Sequence, residues 1–294
     1  MYHYTKEHSL LELTNDAVFK LYFTKEENRA QLKQFLKATT HLTDDDLTTL
    51  EINNPVLTKE HVLDKDFIVD INLTSKTGHK IIVEMQVVGH ENFIERVVAY
   101  SGRRYSSQLK RGGVYTDLKE CITLIITNFE MFEDTKEYYE HILFRRINGK
   151  PFTNAQQFYI IDLTKMPKEG QSTIEKWGGL FTAETKEELK MLMETSKEMK
   201  ETGERLLELS ADEKARELAE AREFSQWAFD TELHARENKG RKEELELGLE
   251  QGAYQNSIEV VKKLIKRKLS NNDIVEDTNL PIEVIEQLQK ELKM

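Results

Sequence analysis

The chain has little of what several common protein classes require. Its 294 residues include one cysteine, four prolines and eight histidines, and the histidines show no paired spacing. A disulfide framework within one chain is therefore excluded, and a zinc site has almost no support. No apolar run approaches the roughly 18 residues of a membrane span, and the N-terminus lacks signal-peptide regions. We expect a cytoplasmic protein without membrane contact.

An excess of positive charge is also lacking, since the formal net charge is -11. This argues against nucleic-acid binding over the whole surface, so any DNA contact must be a local basic patch. The length allows one domain of about 150 residues with appended modules.

What the sequence does contain is a candidate β-hairpin. Alternating apolar and polar side chains on both sides of Thr77 predict two strands, and Gly78 supplies the permissive backbone of the turn. A turn centred on Thr77 places Asp70 directly opposite Glu84. Gln86 shares a face with Glu84.

Two carboxylates facing each other about 5 Å apart repel, unless a proton or a divalent cation neutralises them. Oxygen-only ligands favour Mg²⁺ or Mn²⁺. An ordinary hairpin with solvated charges is the alternative, because a turn shifted by one residue would take Asp70 out of register with Glu84.

Six segments carry motifs that are specific in combination, including Glu-Met-Gln at 84–86 and Arg-Arg-Tyr-Ser-Ser-Gln-Leu-Lys at 103–110. The others are 15–23, 69–71, 93–96 and 126–129. In this order they resemble the Rpn family of recombination-promoting nucleases, also labelled putative transposases, within the PD-(D/E)XK nuclease superfamily. The resemblance implies an α/β, restriction-endonuclease-like αβββαβ core followed by an all-α C-terminal region.

The resemblance also implies a function, a metal-dependent endodeoxyribonuclease of low sequence specificity linked to recombination and mobile DNA. Asp70 and Glu84 would bind Mg²⁺ or Mn²⁺ with help from the Met85 carbonyl, and Gln86 would orient the attacking water. The superfamily usually has lysine at the position of Gln86, although the Rpn family commonly has glutamine. The alternative is a non-catalytic regulatory or DNA-mobility accessory protein with a vestigial site, but no motif is broken.

Residues 91–111 have helical periodicity. The inward stripe is predicted to contain Ile94, Val98, Ser101, Tyr105 and Leu109. On another face, cations recur every seven residues and therefore line up, with Tyr100 and Ser107 between them. These cations, Arg96, Arg103 and Lys110, are predicted to contact DNA phosphates, and a solvated helix face is the alternative.

Asp16 and Lys20 lie on the first predicted helix. In related superfamily members an acidic residue there reaches the metal, but Asp16 also suits an ordinary helix start. Lys20 is either a phosphate contact or simply exposed.

The chain is predicted to divide into a nuclease domain at 1–170, a charged helical region at 171–252 that packs on the core or a second copy, and a three-helix unit at 253–294. Capping boxes at Thr185 and Ser210 predict helices over 186–209 and 211–240. The last unit resembles a helix-turn-helix, but its third helix is acidic. We therefore expect it to join copies into a homodimer or higher homo-oligomer.

Overall fold

The structure is a computed structural model that describes residues 10–57, 67–89, 92–167 and 170–292. The α-helices of these ranges are α1 (Asp16–Thr24), α2 (Arg29–Thr39), α3 (Phe93–Ser106), α4 (Thr173–Thr182), α5 (Lys186–Met193), α6 (Lys197–Ala211), α7 (Glu213–Lys266), α8 (Asn271–Thr278) and α9 (Ile282–Glu291). None of these helices is long and apolar enough to cross a bilayer.

The strands are β1 (Leu50–Ile52), β2 (Val56–Leu57), β3 (Phe67–Ile68), β4 (Ile71–Ser75), β5 (Lys80–Gln86), β6 (Cys121–Thr127), β7 (Tyr139–Arg145) and β8 (Pro151–Asp162). Strands β2 and β3 form a small antiparallel pair, and the others form one mixed sheet in the order β1-β4-β5-β6-β8-β7. The neighbours β5-β6 and β6-β8 are parallel, and the remaining neighbours in this sheet are antiparallel.

The sheet is covered on both faces. On one face, apolar residues of β4, β5, β6 and β8 pack against α1, α2, α4, α5 and α6 in the main core. On the other face, Phe93 and Val97 of α3 pack against Ile125, Phe158 and Ile160. Because side chains alternate along a strand, the positions of β5 that face away from the main core lie on the α3 side.

The predicted hairpin is confirmed in its register. Ile71 pairs with Val83 and Thr74 with Lys80, so extending the ladder by one residue places Asp70 opposite Glu84. Gly78 in the turn has φ +95°, a conformation that favours glycine.

The helix predicted at 91–111 is shorter, and its buried stripe differs. Residue 91 lies outside the described ranges, α3 ends at Ser106, and Lys110 follows it. Phe93, Val97 and Ser101 are buried, whereas Ile94 and Val98 are 47% and 49% exposed. The predicted stripe was wrong at Ile94 and Val98 and right at Ser101, which is buried. Phe93 takes the place of Ile94, since its ring packs against Phe129 and the sheet.

Two helix predictions after residue 183 were also wrong. The region 186–209 forms two helices because Ser196 caps α6, accepting from the backbone N–H of Met199 at 3.1 Å. The box at Thr185 is confirmed. Ser210 does not cap the next helix, since its hydroxyl donates to the carbonyl of Leu206 within α6. Asp212 caps instead, accepting from Ala215 N–H at 2.9 Å.

The chain forms two compact units, residues 1–224 and 225–294. Helix α7 continues through Gly240, Gly248 and Gly252, where a break was predicted. Each glycine costs about 1 kcal/mol in a helix, but the surrounding Glu, Lys and Leu residues favour it and no proline intervenes. The second unit has its own core, in which residues such as Val261, Ile274 and Ile285 pack together.

Candidate active site

Asp70 and Glu84 form the centre of the site. The hairpin register places them opposite each other, and the backbone N–H of Asp70 approaches Glu84 Oε1 at 3.4 Å. Asp70 Oδ2 accepts a hydrogen bond from the backbone N–H of Met85 at 2.8 Å. Both carboxyl groups are therefore fixed by the hairpin itself, at the end of β5 that is distant from the turn.

Burial makes this carboxyl pair difficult to ionise. The Glu84 residue is only 6% exposed, and burial followed by the charge of Asp70 raises its pKa well above the ordinary value. Burial also raises the pKa of Asp70, against the opposing effects of Lys20 and the Met85 N–H. A pair that repels in this way is suited to a bound cation.

Helix α1 contributes Asp16 and Lys20, one turn apart. Lys20 Nζ lies 2.8 Å from Asp70 Oδ1. Burial lowers the pKa of Lys20, but the neighbouring carboxylates, chiefly Asp70, outweigh it and leave the pKa raised. Lys20 is thus paired with Asp70 and is not simply an exposed surface cation. Its ammonium group is placed between the carboxyl pair and solvent, with 39% of the side chain exposed.

Asp16 does not cap α1. Asn15 does, accepting from the backbone N–H of Ala17 and Val18. Asp16 forms an ion pair with Arg222 of α7 at 2.5 Å, and its charge adds to the raised pKa of Asp70. Asp16 therefore lies near the site. Among the described residues, it forms no hydrogen bond or ion pair with Asp70 or Glu84.

Gln86 has both ends of its amide engaged. Its Oε1 accepts from Arg96 Nη2 at 2.8 Å, and its Nε2 donates to the carbonyl of Val88 at 2.9 Å. An amide has two donor hydrogens and two acceptor lone pairs, so each end retains one position for water. The Arg96 charge also opposes the raised pKa of Glu84, which places this arginine beside the carboxyl pair.

The other predicted DNA contacts divide between two places. Tyr100 lies close enough to the site to be affected by its charges. Burial, with the charges of Glu84 and Asp70, raises the pKa of Tyr100, and the charge of Arg96 opposes this rise. Arg103 is on the last turns of α3, and Ser107 and Lys110 line a separate cleft beyond the end of that helix. The structure does not arrange the three predicted cations along one helix, since Lys110 lies after α3.

The separate cleft, here called the basic cleft, has a volume of about 360 Å³ and lies at the turn end of β5. Its cations are Lys80, Arg104, Lys110 and Lys119, and its other lining residues are Gly78, Ser107, Gln108 and Asp117.

Three of these cations were missed from the sequence. Arg104 donates to the neutral oxygens of Asn53 and Thr74. Burial and the charge of Arg104 lower the pKa of Lys80. The available signal was the alternation of β5, which puts Lys80 on the same face as Glu84.

The residues at the carboxyl pair fit a divalent metal ion. Among the described residues, no group of three or more His, Cys, Asp or Glu side chains could hold a metal. Two buried, mutually repelling carboxylates nevertheless suit a hard cation such as Mg²⁺, which commonly uses one or two carboxylates and completes its shell with water and substrate phosphate.

Comparison with known families agrees with this geometry. A family model described as PD-(D/E)XK nuclease family transposase matches residues 13–236, which is more than half of the chain and includes the whole carboxyl site. The chain belongs to this family, as the sequence motifs indicated. The mixed sheet flanked by helices is compatible with such a domain, and the family indicates a nuclease-like or transposase-like role. No curated protein and no solved structure gave a significant match.

Proposed function

We propose that this protein is a Mg²⁺- or Mn²⁺-dependent endonuclease that hydrolyses DNA phosphodiester bonds with little sequence preference. The observation that carries the proposal is the buried pair of Asp70 and Glu84, held opposite each other on a hairpin and resisting ionisation. A purely structural hairpin has no reason to bury two like charges.

Asp70 and Glu84 would hold the ion, and the Met85 carbonyl is a third candidate ligand. When bound, the ion would supply Lewis acidity that polarises the scissile phosphate. The two carboxylates must lose their protons to do this, so their raised pKa values tie activity to pH.

Gln86 orients the attacking water for in-line displacement at phosphorus. Its amide is held between Arg96 and the Val88 carbonyl, so its remaining donor and acceptor positions have fixed directions. A neutral amide cannot offset the negative charge of the transition state, and other cations must do so.

Lys20 and Arg96 are the cations placed to supply that charge. Lys20 bonds Asp70, and Arg96 bonds Gln86. Lys20 thereby provides the ammonium group that the superfamily usually carries at the position of Gln86.

DNA would pass from the carboxyl site along α3 to the basic cleft. Arg96, Tyr100 and Arg103 lie on α3, and Ser107 and Lys110 line the cleft. Cations that contact phosphates position DNA without reading its sequence, which supports low sequence preference. The C-terminal helices remain our candidate for a homodimer contact.

The competing function is a regulatory or DNA-mobility accessory protein that binds DNA without cutting it. It predicts DNA binding that does not depend on a divalent ion and no hydrolysis. The intact carboxyl pair favours the nuclease.

Nicking of supercoiled plasmid tests the proposal. Full-length protein should nick plasmid in Mg²⁺ or Mn²⁺ but not in EDTA, and Asp70→Asn with Glu84→Gln should remove nicking. The matched control exchanges two exposed acids outside the site, Glu133→Gln with Asp134→Asn, and should cut as the wild type does. Equal nicking by both double variants would refute the assignment.

A further inference from the structure

The β7-β8 hairpin ends in an exposed basic segment that plays no part in the function proposed above. Residues 144–152, here called the distal ribbon, contain three cations, Arg145, Arg146 and Lys150, and no acidic residue. The chain as a whole has a net charge of -11. Among the described residues, none of these three cations forms an ion pair. The ribbon is therefore a local basic patch on an acidic protein.

The distal ribbon also exposes apolar side chains. Ile147 at its tip is fully exposed, Phe152 is 75% exposed and Phe144 is 43% exposed. Large apolar side chains that are exposed beside cations, and that pack against no hydrophobic core, are typical of a surface that contacts a partner.

The ribbon is ordered by its own hydrogen bonds. Arg146 N–H donates to the Lys150 carbonyl at 2.9 Å, and Gly149 N–H donates to the Arg146 carbonyl at 2.8 Å. Arg145 Nη1 also reaches the Gly149 carbonyl. The pairing of β7 with β8 is irregular on both sides of Phe144, and such bulges bend a strand pair away from its sheet. The ribbon is thus a preformed two-stranded projection.

The sheet register relates the ribbon to the basic cleft. Lys80 pairs with Cys121 on the neighbouring strand β6, and Cys121 pairs with Gln156 of β8, so these three residues lie at the same level of the sheet. The ribbon lies further along β8 in the direction away from Glu84, so it projects from the cleft end of the sheet. Ile160 of β8 is level with Glu84, and the turn of the ribbon begins ten residues back from it. At about 3.3 Å per residue, these ten steps span at most ~33 Å along the strands. This equals about ten base-pair steps of B-DNA at ~3.4 Å each.

We infer that the distal ribbon docks in a groove of duplex DNA about one helical turn from the cleavage site. The inference rests on the proposed function for its choice of DNA as partner and for the position of the cleavage site. The major groove admits a two-stranded ribbon. Proteins that bind the minor groove insert exposed apolar side chains as wedges between base steps. The cations Arg146 and Lys150 then meet phosphates.

Charge and size favour duplex DNA over the other occupants. A second copy of the chain would need an interface of about 800 Å² from some 20–30 residues on each side, far more than the ribbon offers. A single strand would need a groove around an aromatic platform, whereas the tip is exposed on all sides.

The charge test measures binding of full-length protein to a duplex of about 30 base pairs, long enough for both contacts, by fluorescence anisotropy in EDTA at several salt concentrations. Arg146→Ala with Lys150→Ala should reduce the log-log salt slope by about 1.8, since each phosphate contact contributes ~0.9. Arg145 is left in place because it bonds the turn. The matched control removes two exposed lysines elsewhere, Lys190→Ala with Lys200→Ala, and should keep the wild-type slope.

A second variant separates the apolar contribution. Ile147→Ser with Phe152→Ser should weaken duplex binding while the salt slope stays at the wild-type value, because no charge is lost. Thermal unfolding of each variant should match the wild type, since these side chains are exposed.

Several outcomes would overturn the inference. The first is an unchanged salt slope in the ribbon charge variant. The second is a loss of binding, in either ribbon variant, that is confined to single-stranded DNA or to anionic phosphatidylserine vesicles. The third is a shift of a ribbon variant from dimer to monomer in light scattering. Plasmid nicking by the same proteins keeps the two proposals apart. Nicking with unaffected binding refutes the ribbon alone, and a reduced slope without nicking by the wild type refutes the nuclease alone.

Discussion

The two ends of β5 differ in the sign of the charge that predominates, which is negative near Gln86 and positive at the turn end. Near Gln86, the Asp70 and Glu84 carboxyls lie together, and burial raises the pKa of both. At the turn end, Lys80 lies in a cleft with three other cations, and burial with the charge of Arg104 lowers its pKa. Burial therefore opposes the charged form of Asp70 and Glu84 at one end and of Lys80 at the other. One end is suited to a cation and the other to a phosphate.

The difference between the ends shows how one strand can serve two ligand types. Each cluster is held by the same hairpin, and a ligand of opposite charge would reduce the repulsion within it. The predictions below test whether the two ends act in this way.

The largest expected effect is on hydrolysis. Asp70→Ala or Glu84→Ala should each reduce plasmid nicking by about 10³-fold or more, because either change removes a carboxylate that holds the ion, an effect of several kcal/mol. The measurement is the nicking rate in Mg²⁺. The two variants should remain folded by circular dichroism, and nicking near the wild-type rate in both would show that this end of β5 is not the active site.

Gln86→Ala should reduce the rate by about 10²-fold, the scale of one positioned group. Gln86→Lys should retain more activity than Gln86→Ala, because it restores the residue usual in the superfamily. Single-turnover cleavage at saturating metal measures both. A rate for Gln86→Ala equal to wild type would remove the water-orienting role and leave the carboxyl pair unaffected.

At the opposite end, the basic cleft should govern affinity rather than chemistry. Lys110→Ala with Lys119→Ala should reduce the salt slope of duplex binding by about 1.8, while the cleavage rate at saturating DNA stays within a few-fold of wild type. Lys190→Ala with Lys214→Ala, which also removes two exposed lysines, is the control. A fall in the rate at saturation with no change in slope would reverse the assignment.

A smaller effect is expected on stability, and its pH dependence has a definite sign. The raised pKa of Glu84 means that the folded protein binds this proton more tightly than the unfolded chain does. Stability is therefore lost as pH rises above the ordinary Glu value towards the raised one. For Lys80, whose pKa is lowered, stability instead rises with pH in its own window below the ordinary Lys value.

Glu84→Gln should accordingly raise the melting temperature in EDTA at pH 8 and have little effect at pH 5. Asp70→Asn should gain less, since Asp70 also bonds Lys20 and the Met85 N–H. Differential scanning fluorimetry measures both, with the exposed Glu133→Gln as control. A larger gain at pH 5 than at pH 8 would contradict the sign.

The smallest effect is expected from the C-terminus. A chain that ends at Gly252 should nick plasmid at the wild-type rate, because both charge clusters lie in residues 1–224. If the C-terminal helices join two copies, light scattering should also show a shift towards monomer. A large loss of nicking would show that the chemistry is not confined to β5 and its neighbours.

The hairpin register and the placement of Asp70 opposite Glu84 could be predicted from the sequence. Alternation and one turn glycine determine them locally, since both act within a few residues of the turn. Cys121 begins an apolar run of the sequence, which is typical of a buried thiol, and Cys121 is buried in the structure. Burial raises the pKa of its thiol to about 11.

The stripe of α3 could not be predicted in the same way. Two overlapping stripes were compatible with its sequence, and the choice depended on which one the sheet could accommodate. Just after the end of the helix, the side chain of Gln108 bonds both backbone groups of Lys119, a contact that helical periodicity does not predict.

The sequence by itself determined the hairpin, the carboxyl pair and the family, because these depend on local periodicity and short motifs. Only the tertiary structure decided that Lys20 bonds Asp70, that Arg96 bonds Gln86, and that Lys80, Arg104, Lys110 and Lys119 line one cleft. These groups come from separate elements, and their distances are set by the packing of α1 and α3 against the sheet. Spacing along the chain carries no information on such distances.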